Sequence, residues 1–172
     1  LTIIDTFSKY GQAYSIKTQQ TIDVLNHLSD FFSHHGIPKR IISDQGSEFR
    51  NNTFAELLKI YNIESHTTSS NHPQSNGSIE RFHSTIIEQC RLYRLREEFK
   101  KTPINVVVKY AILSYNNSIH SVTKLTPSEI ISGHLEVDNP LKTNSYATAQ
   151  DYVNNHKRKC ELLYNEVKNK IK

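Results

Sequence analysis

The stretch Lys39-Arg40-Ile41-Ile42-Ser43-Asp44-Gln45-Gly46 decides how this chain folds. Its apolar centre, held between basic and polar ends, reads as a strand, and Asp44 stands where that strand runs out into a glycine turn. Upstream, Ile22, Leu25, Leu28 and Phe32 keep helical spacing from Thr18 to about His35, and Gly36 followed by Pro38 stops the helix. Downstream, Phe54, Leu57, Leu58 and Tyr61 mark a short helix, and residues 64–68 form a weaker strand. The chain opens inside an apolar β-type run, residues 1–10, with no initiator Met, and so reads as a piece of a longer chain. Ala13-Tyr14-Ser15-Ile16 follows through Gly11, which makes the first sixteen residues an antiparallel hairpin. Strand, strand, helix, strand, helix, strand, helix is an α/β layout. In such folds ligands gather at the carboxyl ends of strands, which gives Asp44 a functional address. Taken singly, an aspartate two residues before a glycine is more commonly the acceptor of an Asx-turn.

A second acid follows a different kind of segment. Residues 69–78, Ser-Ser-Asn-His-Pro-Gln-Ser-Asn-Gly-Ser, read as a polar surface loop, and an amphipathic helix begins almost at Glu80. Ile79, Phe82, Ile86, Cys90 and Tyr93 form its apolar stripe, while Glu80, Ser84, Glu88 and Arg91 lie on another face. Alone, Glu80 is a first-turn acid that complements the helix dipole. The stretch between Asp44 and Glu80 has room for one helix, one strand and one flexible loop, a path that can return the chain beside its start.

The rest of the chain supplies helices and charge. A helix is expected from about Pro103 to Asn116 and a short one from Thr126-Pro127-Ser128-Glu129. Residues 1–134 are read as one domain, 135–147 as a polar linker containing Pro140, and 148–172 as a basic helix. That helix carries Lys157, Arg158, Lys159, Lys168, Lys170 and Lys172, for which a solvated face and contact with nucleic acid are both open readings.

With 172 residues, 36% of them hydrophobic, the chain can bury a core. No apolar run reaches the roughly 20 residues of a membrane span, so a soluble, intracellular protein is expected. Cys90 and Cys160 read as reduced thiols, and the nine His residues lack a Cys-x-x-Cys companion, so no zinc site is expected. The net charge of +4 leans towards a polyanionic partner.

Ile42-Ser43-Asp44-Gln45-Gly46-Ser47-Glu48-Phe49, together with His72-Pro73-Gln74-Ser75-Asn76-Gly77 and Glu80-Arg81, resembles the integrase catalytic core of retroviruses and, more closely, of gypsy-type long-terminal-repeat retrotransposons. Ile4-Asp5-Thr6-Phe7-Ser8-Lys9, Tyr115-Asn116-Asn117-Ser118-Ile119-His120-Ser121 and Thr126-Pro127 match as well, over about residues 1–134. The resemblance implies a ribonuclease H-like fold, a mixed sheet flanked by helices, with the family's first strand missing here. It implies a polynucleotidyl transferase that performs 3′-end processing and strand transfer of element DNA into target DNA. It also implies Mg²⁺, with Mn²⁺ as an alternative, held by three carboxylates, of which Asp44 and Glu80 match the second and third.

The family's first acid lies one strand upstream of Ile4-Asp5, so Asp5 is expected to be a strand-end or turn residue and the piece by itself to be inactive. Asn71, Gln74, Asn76, Arg81 and Arg91 are the expected DNA contacts, chiefly to phosphates. Expected partners are element and target DNA and further copies of the chain, with no membrane, in the nucleus or a virus-like particle. Two other readings stay open: a domesticated or decayed core that binds DNA or protein without catalysis, and a ribonuclease H-type nuclease. The loop from His72 to Gly77 favours integrase over the latter.

Overall fold

Ile3 and Ile4 are adjacent in sequence and pack into different cores. In the computed structural model, which describes residues 1–16, 18, 20–68, 73–133 and 149–171 and only the backbone of 73–76, 149 and 152, both lie on strand β1 (Thr2–Ile4). Successive strand residues point to opposite faces, so a three-residue strand serves two layers. β1 pairs antiparallel with β2 (Gly11–Ala13), Thr2 opposite Ala13 and Ile4 opposite Gly11. The Leu1 and Tyr14 main chains exchange hydrogen bonds of 3.0 and 2.8 Å at one end, and the Asp5 N–H donates to Tyr10 O at the other.

On one side of the hairpin, Leu1 and Ile3 meet α1 (Thr21–His35) and α2 (Asn52–Ile60). Val24, Leu25, Leu28 and Phe32 of α1 and Phe54 and Leu58 of α2 are buried there, each such side chain contributing about 1.5–3 kcal/mol. Gly36 ends α1 at φ 84°, a left-handed conformation that suits glycine. Asn51 caps α2 by accepting from the Phe54 N–H, and its amide donates to Thr21 Oγ1 at 2.6 Å, which ties the starts of both helices together. Beside this core, β3 (Arg40–Ser43) and β4 (Glu64–Thr67) pair in parallel, with Arg40 opposite Glu64. Antiparallel and parallel pairing are thus both present, in two separate strand pairs among the described residues.

On the other side of the hairpin, Ile4 and Ala13 meet α3 (Pro73–Arg94) and α4 (Ile104–Asn116). Phe82, Ile86, Ala111 and Ile112 are buried between them, and Ile79, Cys90 and Tyr93 complete the stripe expected of α3. The Arg94 guanidinium donates to Phe99 O and Lys100 O and so fastens the turn between the two helices. A capping box at Thr126 and Glu129 starts α5 (Pro127–Ser132). The last helix, α6 (Ala149–Ile171), buries Leu163 and Val167 and stacks Tyr164 on Phe7 of the hairpin turn, ring centroids 5.0 Å apart.

Several boundaries differ from the sequence reading, and α1 starts at Thr21 rather than Thr18. β2 is Gly11–Ala13 rather than residues 13–16, because Asn116 holds Gly11 at the strand's start. α4 begins at Ile104 with Pro103 as its cap. α3 begins at Pro73, not near Glu80, so Glu80 rides in the third turn of a helix instead of at a loop-to-helix junction. Gly and small polar residues are weak helix formers, yet packing of the following turns against β1 and α4 outweighs propensity over residues 73–78. The linker expected at 135–147 lies outside the described residues. Among the described residues, no helix is long and apolar enough to cross a membrane.

Candidate active site

Asp44 leaves the carboxyl end of β3 exposed to solvent, and its Oδ1 accepts the Gly46 N–H at 3.0 Å. The Asx-turn expected of this residue is present, and it holds the carboxylate at the carboxyl end of β3. The carboxyl ends of β3 and β4 are tied together there. Thr68 donates to Ser43 O from its N–H (2.9 Å) and from its hydroxyl (3.2 Å), and the Gln45 side-chain amide donates to Thr68 O at 3.4 Å. At the opposite, amino end of the same pair, the Arg40 guanidinium donates twice to Glu64 Oε2, at 3.0 and 2.8 Å, and holds the Glu64 carboxyl below its ordinary pKa. Both side chains are exposed, so this bridge aligns the strands more than it stabilises them.

Glu80 is exposed on α3, whose next residue but one, Phe82, is anchored in the hairpin core. Its position is fixed by that packing and not by a cap. Among the described residues, neither Asp44 nor Glu80 enters a salt bridge, and no three His, Cys, Asp or Glu side chains gather as a metal group. Asp44 and Glu80 are exposed carboxylates on two separate elements, and carboxylate oxygens open to water are the hard donors that Mg²⁺ prefers, since it retains several waters.

Asp5 occupies a different environment. Its Oδ2 accepts from the Ser8 N–H at 2.7 Å and from the Ser8 hydroxyl at 2.6 Å, while the Lys9 N–H donates to Asp5 O. The carboxylate organises the turn between β1 and β2, the structural role that the sequence indicated for it.

Of the five expected DNA contacts, Asn71 lies outside the described residues, and Gln74 and Asn76 are described only as helical backbone. Arg81 is exposed beside Glu80; a Cβ at Gly77 would stand 3.3 Å from its Nη1, so the glycine leaves room for the guanidinium. Arg91 is exposed two and a half turns beyond Phe82 on α3 and lines a groove of about 630 Å³ with Leu1, Ala13, His83 and Ile104. The sequence did not single out Lys9, whose ammonium feels Asp5 and Arg81, or His120, whose imidazole feels Lys9 and Arg81. Only the neighbouring motifs hinted at them, since each is the final or near-final residue of a stretch that matched as a block.

Residues 1–73 match the family model described as "Integrase core domain". The chain is 30% identical over 132 residues to the Retrovirus-related Pol polyprotein from transposon gypsy of Drosophila melanogaster, covering 76% of this chain and 13% of that polyprotein. It is 34% identical over 137 residues to the Pro-Pol polyprotein of Feline foamy virus, covering 77% of this chain and 11% of that one. The chain thus spans a small part of the length of these relatives. Among solved structures, the HTLV-2 integrase catalytic core domain in complex with magnesium, in a trimeric form, superposes with a TM-score of 0.66 at 21% identity, over 76% of this chain and 82% of that one. The chain shares the ribonuclease H-like α/β fold of retroviral integrase catalytic cores, and its residues 1–73, which include β3 and Asp44, match the integrase core domain, with similarity to retrotransposon and retroviral polyproteins over about three quarters of its length.

Proposed function

We propose that this chain is the part of an integrase core that cuts and joins DNA phosphodiesters, with Asp44 and Glu80 as two of its metal-holding carboxylates. The observation that carries the reading is Asp44 at the tied carboxyl ends of β3 and β4, inside a segment that matches the integrase core domain. A divalent ion such as Mg²⁺ supplies, when bound, polarisation of the scissile phosphate and a lowered pKa for an attacking water or 3′-hydroxyl. Asp44 would hold it from the strand end, where the Gly46 N–H occupies Oδ1 and leaves Oδ2 to face the ion. Glu80 would approach from α3, whose rigidity keeps the carboxylate within reach as DNA is exchanged. Asn71, Gln74, Asn76, Arg81 and Arg91 would hold phosphates along the duplex and fix its register without reading its sequence. In this reading residues 1–134 form the core, 135–147 a linker and 148–172 a basic appendage, and the complete protein works as an oligomer on element and target DNA in the nucleus or a virus-like particle.

The test is made in the complete polyprotein-derived integrase. Asp44→Asn and Glu80→Gln should each lower Mg²⁺-dependent 3′-processing and strand transfer of labelled element ends by more than about 100-fold, with unchanged thermal unfolding. Strand transfer within a fewfold of the parent in either variant would sink the assignment of that residue. A parent protein that binds DNA and never joins it would favour a decayed core.

A further inference from the structure

The geometry points to a second phosphate-binding site, built from Lys9, Arg81 and His120, that grips the DNA backbone beside the carboxylate site. It rests on the DNA-joining reading above but uses none of the metal-holding residues.

Three segments far apart in sequence are brought together here by buried contacts. Asn116, 3% exposed, accepts the Gly11 N–H and donates to Gly11 O, each at 2.9 Å, which docks the hairpin turn on the end of α4. The Tyr115 hydroxyl donates to Lys9 O at 3.1 Å in the same turn. Phe82 packs edge-on to Tyr115, centroids 4.8 Å apart, and presses so closely on Gly11 that a Cβ there would fall 2.2 Å from its ring. Arg81 precedes Phe82, Lys9 lies two residues before Gly11, and His120 follows Asn116 by four. Lys9, Arg81 and His120 thus flank one buried knot.

Lys9 and His120 are each prepared for an anion. Lys9 has φ 64°, a left-handed turn conformation, and its Nζ donates to Thr6 O at 2.6 Å, which keeps the ammonium over the turn. His120 Nδ1 accepts the Val122 N–H at 3.2 Å. A backbone N–H can only donate, so the neutral ring carries its proton on Nε2, free to be offered to a ligand oxygen. Burial first, then the charges of Lys9 and Arg81, hold the His120 imidazolium below its ordinary pKa, and burial with Arg81 outweighs Asp5 in doing the same to Lys9. An anion held between them would relieve the repulsion that Lys9 meets from Arg81. The acid that acts on Lys9, Asp5, has Oδ2 occupied by the two Ser8 donors, and Glu80 precedes Arg81 on α3.

The ligand class is a phosphodiester of duplex DNA: one ammonium, one guanidinium fork and one neutral N–H suit a singly charged phosphate with two free oxygens. The site touches the sugar-phosphate backbone only, in keeping with a protein whose targets vary in sequence.

The experiment uses the full 172-residue chain and a fluorescein-labelled 20-base-pair duplex, with anisotropy read at pH 7.5 between 50 and 200 mM NaCl. Lys9→Gln and Arg81→Gln should each flatten the slope of log affinity against log salt by about 0.9, which shrinks the loss over that fourfold range by about 3.5-fold. His120→Asn keeps an acceptor for Val122 and removes the outward donor; it should weaken binding about threefold with an unchanged slope. Lys101→Gln, in the turn before α4, is the control for generic charge loss and should do less than any of these. Equal slopes for parent, Lys9→Gln and Arg81→Gln would overturn the site while leaving the DNA reading intact. A parent chain that shows no salt-dependent binding would overturn both. Displacement of the duplex by 20 mM inorganic phosphate, beyond that by chloride at matched ionic strength, would show a site for the free ion and overturn the backbone assignment. Thermal melts of every variant within about 2 °C of the parent establish that folding is not the variable measured.

Discussion

Asn116→Ala removes both hydrogen bonds that fasten the hairpin to α4, and its consequences can be worked out atom by atom. Asn116 is 3% exposed; its Oδ1 accepts from the Gly11 N–H and its Nδ2 donates to Gly11 O, both at 2.9 Å, across 105 residues of sequence. β2 begins at Gly11, and Gly11 lies opposite Ile4 in a non-hydrogen-bonded position of the ladder, so β1 does not take over these groups. Truncation therefore leaves a buried donor and a buried acceptor without partners, each at about 1–3 kcal/mol, plus a small cavity. Partial entry of water reduces the sum, and a net loss of about 3 kcal/mol is expected. For a domain of this size that lowers Tm by about 6–12 °C. Urea unfolding followed by tyrosine fluorescence and far-UV circular dichroism measures it directly. Asn116→Asp separates the two bonds: it keeps the acceptor for Gly11 N–H, loses the donor, and sets a carboxylate against Gly11 O, so it should be at least as damaging as alanine at neutral pH. If Asn116→Ala cost less than about 1 kcal/mol with an unchanged m-value, the two bonds would not be what holds the hairpin, and the knot beneath Lys9 and His120 would lose its foundation.

The remaining predictions concern packing and protonation. Gly11→Ala should destabilise by about 1–3 kcal/mol or more, because the new methyl meets the Phe82 ring at 2.2 Å, and adding Phe82→Leu should recover part of the loss; purely additive effects of the two changes would contradict the contact. Burial, reinforced by His34 at His35 and by Lys9 and Arg81 at His120, holds both imidazoles below their ordinary pKa, so the folded chain binds fewer protons there than the unfolded one. Their contribution is neutral above about pH 7 and becomes destabilising as pH falls through the unfolded value of about 6.5. Urea midpoints measured from pH 7.5 to 5.5 should decline, less so in His35→Gln, and a midpoint that rose on acidification would refute the sign.

Much of this architecture can be read from the chain because local signals and tertiary packing agree. The stripe Ile79, Phe82, Ile86, Cys90 and Tyr93 states the inward face of α3, and Gly36 states where α1 must stop. They part where a long-range contact sets the boundary. No local rule places the start of β2 at Gly11, since Asn116 and Phe82, which hold it there, lie far along the chain. Nor does composition reveal a helix at Pro73, because a Gly and several small polar residues favour a turn until the following helix is packed. At the candidate site, Asp44 was legible because a strand end and a glycine turn are both local features. The gathering of Lys9, Arg81 and His120 was not, since it is created by side chains at two removes from the cations themselves.

The stacking of Tyr164 on Phe7 has a consequence for the order in which the molecule can be completed. A ribosome delivers about 5–20 residues per second, so Phe7 emerges on the order of ten seconds before its aromatic partner is made. Through that interval the hairpin turn has its strands, and later α3 and α4, but one side of the Phe7 ring is uncovered. Covering this ring is therefore a late event in biosynthesis, and the turn that bears Lys9 reaches its final setting only when α6 has been synthesised.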